Sequence, residues 1–127
     1  MNLNPHGGVQ SALRLVAPAA GMEAIDLFAG AGFTEGAKGA GVKVVWAANH
    51  WPLAVQYHST NHPEVVHVCQ DLHQADWRQV PRHDGCLASP ACQGQSKARG
   101  KERPHHDALR STAWAVVSCL DALKEAA

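Results

Sequence analysis

The residue whose chemistry stands out in this sequence is Cys92, which lies shortly after an apolar run and a proline. The run Cys86–Ala88 is typical of a buried strand, and Pro90 ends it because proline lacks a backbone donor and fixes φ. A cysteine is nucleophilic as its thiolate, a form that partial exposure and nearby positive charge favour. The cations that follow in the sequence are Lys97, Arg99, Lys101 and Arg103. The pattern predicts a reactive thiol at a strand end; the alternative is a small buried hydrophobe, as most free cysteines are.

A second informative stretch is Asp26–Gly32, in which an apolar strand pattern gives way to two glycines. Glycines let the backbone approach a ligand closely, and a helix that follows them offers unpaired N–H groups. In a doubly wound sheet, the turn after the first strand is where a nucleotide-like cofactor binds. The spacing of Gly30, Gly32 and Gly36 misses the dinucleotide pattern by one residue, which argues against a dinucleotide dehydrogenase. A plain tight turn is the alternative interpretation.

The elements that must position these stretches alternate along the chain. The predicted strands are Glu23–Ala29, Val42–Ala48, Val65–Cys69 and His83–Ala88. The predicted helices are Phe33–Gly39, Leu53–His58 with Pro52 in its first turn, and a long helix from Asp107 to about Glu125. Such alternation predicts an α/β fold with a mostly parallel sheet and crossover helices. One stripe of the long helix is predicted to be core: Leu109, Ala113, Val116, Val117, Leu120 and Leu123.

Composition bounds the remaining possibilities. We expect a flexible leader over residues 1–21 and a single domain over residues 22–127. Eleven basic and eleven acidic residues give no net charge, so any nucleic-acid footprint must be local. The four cysteines form no C-x-x-C pair, and no apolar run approaches the ~20 residues that span a bilayer. We therefore expect a reduced, cytoplasmic protein without membrane contact or metal; a Cys/His metal site is a weaker alternative.

Both informative stretches resemble motifs of the cytosine-C5 DNA methyltransferases. The run from Ser89 to Ser96 (SPACQGQS) resembles the Pro-Cys-Gln catalytic loop of that family. The run from Asp26 to Gly32 (DLFAGAG) resembles its first cofactor motif, and the order and separation of the two fit. The resemblance covers about Met22 to Ala127. It implies a Rossmann-like methyltransferase fold, here truncated, with strand order 3-2-1-4.

The resemblance also implies a cofactor, a substrate and a set of site residues. S-adenosylmethionine would be the methyl donor and DNA the partner, in a restriction–modification or phage setting. The implied cofactor-binding residues are Asp26, Phe28, Ala29, Gly30, Gly32, Trp51, Asp71, Leu72 and Pro90. Trp51 would pack on adenine, Asp71 would accept from its amino group, and Leu72 would contact the ring. The implied nucleophile is Cys92, and the implied nucleic-acid contacts are Gln93, Ser96, Lys97 and Arg99. The sequence departs from the family at His50, where an acid is usual, and at Phe33, where a further glycine is usual.

The implied chemistry is covalent: the thiolate adds to C6 of a flipped-out cytosine, and C5 then takes the methyl group. The family's Glu-Asn-Val motif does not occur in these 127 residues, so we expect the isolated chain to be nearly inactive. The fourth strand would also leave an open sheet edge, which predicts self-association or a second polypeptide that completes the domain; the third alternative is a decayed gene fragment. Two other functions stay open: a remnant that binds cofactor or a partner without catalysis, and an RNA cytosine methyltransferase.

Overall fold

The computed structural model describes residues 21–91, residue 101 and residues 106–126, and it describes the side chains of the last helix over residues 111–124. The strands are β1 (Glu23–Leu27), β2 (Lys43–Asn49), β3 (Val66–Cys69) and β4 (Gly85–Ala88). The helices are α1 (Phe33–Gly39), α2 (Pro52–Asn61) and α3 (His106–Ala126). Two short 3-10 turns, Leu72–Gln74 and Trp77–Gln79, connect β3 to β4. The alternation predicted from the sequence is therefore confirmed, and no strand or helix end differs from its predicted position by more than three residues.

The four strands form one parallel sheet in the order β3-β2-β1-β4, as predicted. Leu27 at the end of β1 pairs with Ala48 of β2 on one side and Ala88 of β4 on the other. Asn49, the last residue of β2, pairs with Cys69 at the end of β3. All four strands therefore end at the same edge of the sheet, the edge at which ligands bind in open α/β folds.

The two faces of the sheet have different cores. The face under α3 and the 3-10 turns is apolar, and its fully buried residues include Ile25 and Leu27. The opposite face, which α1 and α2 cover, has a smaller apolar cluster: Ala29, Val44, Ala47 and Val65. Polar side chains share that second face, and they are described with the candidate site below.

The predicted core stripe of the long helix is wrong in part. Val117 and Leu120 are 42% and 44% exposed, whereas Ala115 and Cys119 are the buried residues among the described side chains of α3. Small side chains face the sheet because they let the helix approach it closely, Val116 of the predicted stripe packs against the same core, and Val117 and Leu120 lie on the flank. Leu109 of the predicted stripe lies outside the part of α3 whose side chains are described. Within the described chain, no helix is both long enough and apolar enough to cross a membrane.

Candidate active site

The first strand ends earlier than predicted, at Leu27, because Phe28 adopts a left-handed backbone conformation with φ 60°. A positive φ is uncommon for a bulky residue and costs conformational energy, so surrounding bonds must enforce it. The N–H of Ala29 donates to the carbonyl of Ala48 at 3.0 Å, which holds the turn against β2. The turn then runs through Gly30 and Gly32, where an added Cβ would meet no atom within 4 Å. Open space therefore lies beside both glycines.

Asn49 joins this turn to the start of α2. Its Nδ2 donates to the carbonyl of Ala29 at 3.0 Å, and its Oδ1 accepts from the N–H of Trp51 at 3.0 Å. One side chain therefore holds both the turn after β1 and the backbone at the start of α2. The sequence analysis did not select Asn49. It could have been found as a side chain with both a donor and an acceptor at the end of a predicted strand.

A cavity of about 400 Å³ opens at this edge of the sheet. Its lining residues are Gly30, Ala31, Trp51, Leu53, Ala54 and Tyr57. The structure thus brings together Gly30 and Trp51, which the sequence analysis selected from separate motifs. Trp51 is 57% exposed and Tyr57 is 56% exposed, so two aromatic rings are available to a ligand. The cavity suits a flat aromatic group with an apolar face.

The other predicted cofactor residues lie in several environments. Asp71 is exposed, and its Oδ1 accepts from the N–H of His73 at 2.9 Å, so it caps the first 3-10 turn. Leu72 is only 3% exposed and belongs to the core under α3, while Phe28 packs against the same core. Asp26 is 1% exposed. As placed, the side chains of Leu72 and Asp26 offer almost no surface to a ligand.

Asp26 instead begins a line of buried polar side chains. Thr34 of α1 donates its hydroxyl to Oδ2 of Asp26 at 2.8 Å, and Nε2 of His58 lies 2.9 Å from the same hydroxyl oxygen. Asp26, Thr34 and His58 are each 1% exposed. Nδ1 of His58 lies 2.7 Å from Nε2 of His67 on β3. Sequence reasoning missed this line of contacts, because its members come from four separate elements.

Burial dominates the electrostatics of these groups. It raises the pKa of Asp26, although the hydrogen bond from Thr34 opposes the rise. It lowers the pKa of His58 to about 4, and it also lowers the pKa of His67. His58 is therefore neutral at pH 7, and its 3.8 Å approach to Asp26 is not an ion pair at that pH. Among the residues that the structure describes, no three side chains are arranged to hold a metal ion.

The end of β4 leads into the predicted catalytic loop. The N–H of Ser89 donates to the carbonyl of Leu27 at 3.2 Å, so the chain leaves the sheet beside the end of β1. The N–H of Ala91 donates to the hydroxyl of Thr112 at 3.1 Å, which ties the loop start to α3. Pro90 between them is half-buried. The predicted loop residues that lie outside the described part of the chain are Cys92, Gln93, Ser96, Lys97 and Arg99.

Comparisons with known proteins identify the family of this arrangement. A search among curated proteins gives no match. Among solved structures, a candidate DNA modification methyltransferase encoded within a prophage of E. coli is 28% identical with a TM-score of 0.61, over 79% of this chain and 29% of that one. A TehB-like SAM-dependent methyltransferase from Corynebacterium glutamicum is 22% identical with a TM-score of 0.49, over 68% of this chain and 46% of its own. This chain therefore spans less than half of either neighbour. The model of the family described as C-5 cytosine-specific DNA methylase matches residues 22–126, and the chain belongs to that family.

Proposed function

We propose that this chain is the cofactor-binding and nucleophile-bearing part of a DNA cytosine-C5 methyltransferase that uses S-adenosylmethionine. One observation supports this proposal above all. The cavity lined by Gly30 and Trp51 opens at the edge of the sheet where the strands end, and β4, which precedes Cys92 in the sequence, ends at the same edge. All four parallel strands end at one side of the molecule, and methyl donor and nucleophile are proposed to meet there. Family membership over residues 22–126 supports the same reaction.

The residues around the cavity fit such a cofactor. Trp51 offers an exposed ring on which adenine can stack, and the open backbone at Gly30 and Gly32 leaves room for the methionine portion. Asp71 is exposed near the end of β3 and can accept from the adenine amino group. Phe28, Ala29 and Pro90 are proposed to contribute through their backbone and position rather than through exposed side chains. When bound, the cofactor supplies an electrophilic methyl group.

Cys92 is proposed to perform the covalent step. Its thiolate forms a bond to C6 of the cytosine, which makes C5 electron-rich enough to take the methyl group. Loss of the C5 proton then lets the carbon–sulfur bond break, and the thiolate is restored. Gln93, Ser96, Lys97 and Arg99 are proposed to contact the nucleic acid, since a base must leave the stack to reach the thiol. DNA is the proposed substrate, and methylation of RNA cytosine instead would correct that assignment.

The experiment that tests the cofactor site compares two exposed tryptophans. Trp51→Ala is expected to weaken S-adenosylmethionine binding about tenfold or more, because base–aromatic stacking contributes roughly 1–3 kcal/mol. Trp114→Ala is the matched control, since Trp114 is 69% exposed on α3, away from the cavity. Isothermal titration calorimetry on the purified chain measures both. If the two variants bind S-adenosylmethionine with equal affinity, the cavity is not the cofactor site.

A second prediction concerns Asn49. Asn49→Asp keeps the oxygen that accepts from Trp51 but loses the Nδ2 donor to Ala29, and it places a carboxylate beside a carbonyl. We expect cofactor affinity to fall about tenfold, equivalent to roughly 1.4 kcal/mol, because the cavity wall is no longer fixed. Asn61→Asp is the control, since Nδ2 of Asn61 makes a similar 2.9 Å bond to the carbonyl of Tyr57 on the exposed end of α2. The Asn49 assignment fails if calorimetry finds that both variants bind alike.

Methyl transfer itself is expected of a protein that also supplies the remaining motifs of the family. A tritiated methyl group should pass to cytosine DNA when the chain is extended or complemented with those motifs, and not to DNA that lacks cytosine. The expectation of a second polypeptide or of self-association stays a prediction. The exposed Trp114, Val117 and Leu120 on α3 support it. The cytoplasm stays the expected compartment, and the described thiols form no disulfide.

A further inference from the structure

When Asp26 is ionised, the directions of the hydrogen bonds that link Asp26, Thr34, His58 and His67 follow from counting protons. The hydroxyl of Thr34 has one hydrogen, which it donates to Oδ2 of Asp26 at 2.8 Å. The same oxygen must therefore accept from Nε2 of His58, which lies 2.9 Å away. A neutral imidazole carries one N–H, so Nδ1 of His58 is an acceptor. His67 must then donate from its Nε2 across the 2.7 Å contact.

The same geometry allows a second, reversed arrangement. If Asp26 is protonated, it donates to Thr34, Thr34 donates to Nε2 of His58, and Nδ1–H of His58 donates to Nε2 of His67. The N–H of His67 then moves to Nδ1, and the carbonyl of Val65 stabilises a proton on this ring. The two arrangements differ by one proton, and in both of them every bond has one donor and one acceptor.

We propose that His67, His58, Thr34 and Asp26 form a proton relay. A proton that binds His67 on the outer strand β3 neutralises Asp26 and reverses all three hydrogen bonds between the four residues. A proton binds Nδ1 of His67, and the proton on Nε2 passes to Nδ1 of His58. The proton on Nε2 of His58 passes to the hydroxyl of Thr34, whose own proton passes to Oδ2 of Asp26. One proton is consumed and one carboxylate becomes a carboxylic acid, so no imidazolium remains in the interior.

The burial pattern supports this route. His67 is half-buried at the outer end, whereas the three inner residues are each 1% exposed. An ionised group with that little exposure is costly, and Oδ1 of Asp26 has no hydrogen-bond partner within the described part of the chain. Burial raises the pKa of Asp26 and lowers that of His58, so the relay proton is expected on the carboxylate rather than on the inner imidazole. The relay lies beneath α2, the helix whose residues Leu53, Ala54 and Tyr57 line the cavity.

Other titratable groups surround the relay and enter its pH dependence. The ring of His62, directly after the end of α2, lies 4.7 Å from that of His58. Nδ1 of His62 lies 3.4 Å from Nζ of Lys38 and 4.0 Å from a carboxylate oxygen of Glu35, both on α1. Lys38 also pairs with Glu64 at 2.9 Å. On β4, Cys86 lies on the opposite face of the sheet from Asp26, in the core under α3, where its contact with Cys119, then burial and least of all the charge of Asp26 raise its pKa.

The test follows the histidine tautomers of the whole chain by nitrogen NMR as the pH is lowered from about 8 to about 5. We expect His58 to change from the Nε2–H to the Nδ1–H tautomer with one midpoint, without forming an imidazolium in that step. His67 should change with the same midpoint, and infrared spectra should gain the carbonyl band of a buried carboxylic acid. Conversion of His58 directly to imidazolium, or an unchanged tautomer with no new carboxyl band, would overturn the relay.

Two variants test whether Asp26 is the group that finally takes up the proton. Asp26→Asn should abolish the tautomer change, because an amide cannot take up the proton, whereas Asp76→Asn, at a half-buried carboxylate that bonds to Arg78 rather than to the relay, should leave it intact. Persistence of the change in Asp26→Asn would overturn the assignment. If that variant does not fold, the infrared band of the unsubstituted chain still decides. No cofactor is needed, so these results are independent of the proposed methyl transfer.

Discussion

Cys92→Ser is expected to abolish covalent trapping of DNA that carries 5-fluorocytosine and to lower methyl transfer by roughly 10⁴-fold or more. Serine keeps the shape of the side chain, but its hydroxyl is far less nucleophilic than a thiolate. Fluorine at C5 cannot leave as the proton does, so the carbon–sulfur adduct persists and can be seen by denaturing electrophoresis and mass spectrometry. The measurement uses a protein that carries this segment together with the remaining motifs of the family.

Cys69→Ser is the matched control for this experiment. Cys69 is an exposed free thiol at the end of β3, so it tests whether any accessible cysteine is trapped. Its replacement should leave the adduct yield unchanged. An adduct that survives in Cys92→Ser and disappears in Cys69→Ser would transfer the nucleophile to β3 and refute the proposal. The described anchors at Ser89 and Ala91 hold the start of the loop beside the end of β1 and against α3.

Thr34→Val is expected to lower the free energy of unfolding by about 2–4 kcal/mol. Valine fills the same volume but removes both hydrogen bonds of the Thr34 hydroxyl, one to a carboxylate and one from His58. A bond to a charged group contributes about 1.5–3 kcal/mol, and a buried donor left without an acceptor costs about 1–3 kcal/mol. Urea unfolding followed by circular dichroism measures the difference.

Thr34→Ser separates the hydroxyl from the methyl group. Serine retains the hydrogen-bonding oxygen and loses one methyl, so a loss of only about 1 kcal/mol is expected. We therefore expect the Thr34→Val variant to be less stable than the Thr34→Ser variant, although valine is the more apolar residue. If the valine variant equals or exceeds the serine variant in stability, the buried hydrogen bonds of Asp26 and His58 do not support the fold.

The strands and helices could be predicted because they rest on local information: each strand is a short apolar run bounded by glycine, proline or polar residues. The strand order was implied by the family resemblance of the two motifs, and the sheet confirms it. The meeting of Gly30 and Trp51 followed because residues after parallel strands share one sheet edge. The stripe on α3 failed because periodicity shows that a helix has an apolar arc without showing which part of it faces a sheet. Ala115 and Cys119 occupy that position, and Leu120 does not.

The amino-acid sequence by itself determined the order of strands and helices, the family motifs and the edge at which they meet. Only the tertiary structure decided that Phe28 takes the left-handed conformation, that Asn49 bridges Ala29 and Trp51, and that Asp26 is buried in contact with Thr34. The physical reason is the separation in sequence of the residues that interact. Strand and helix patterns depend on neighbours a few residues apart, whereas the bonds of Asn49 and of the relay join residues from separate elements, and His58 lies 24 residues from Thr34.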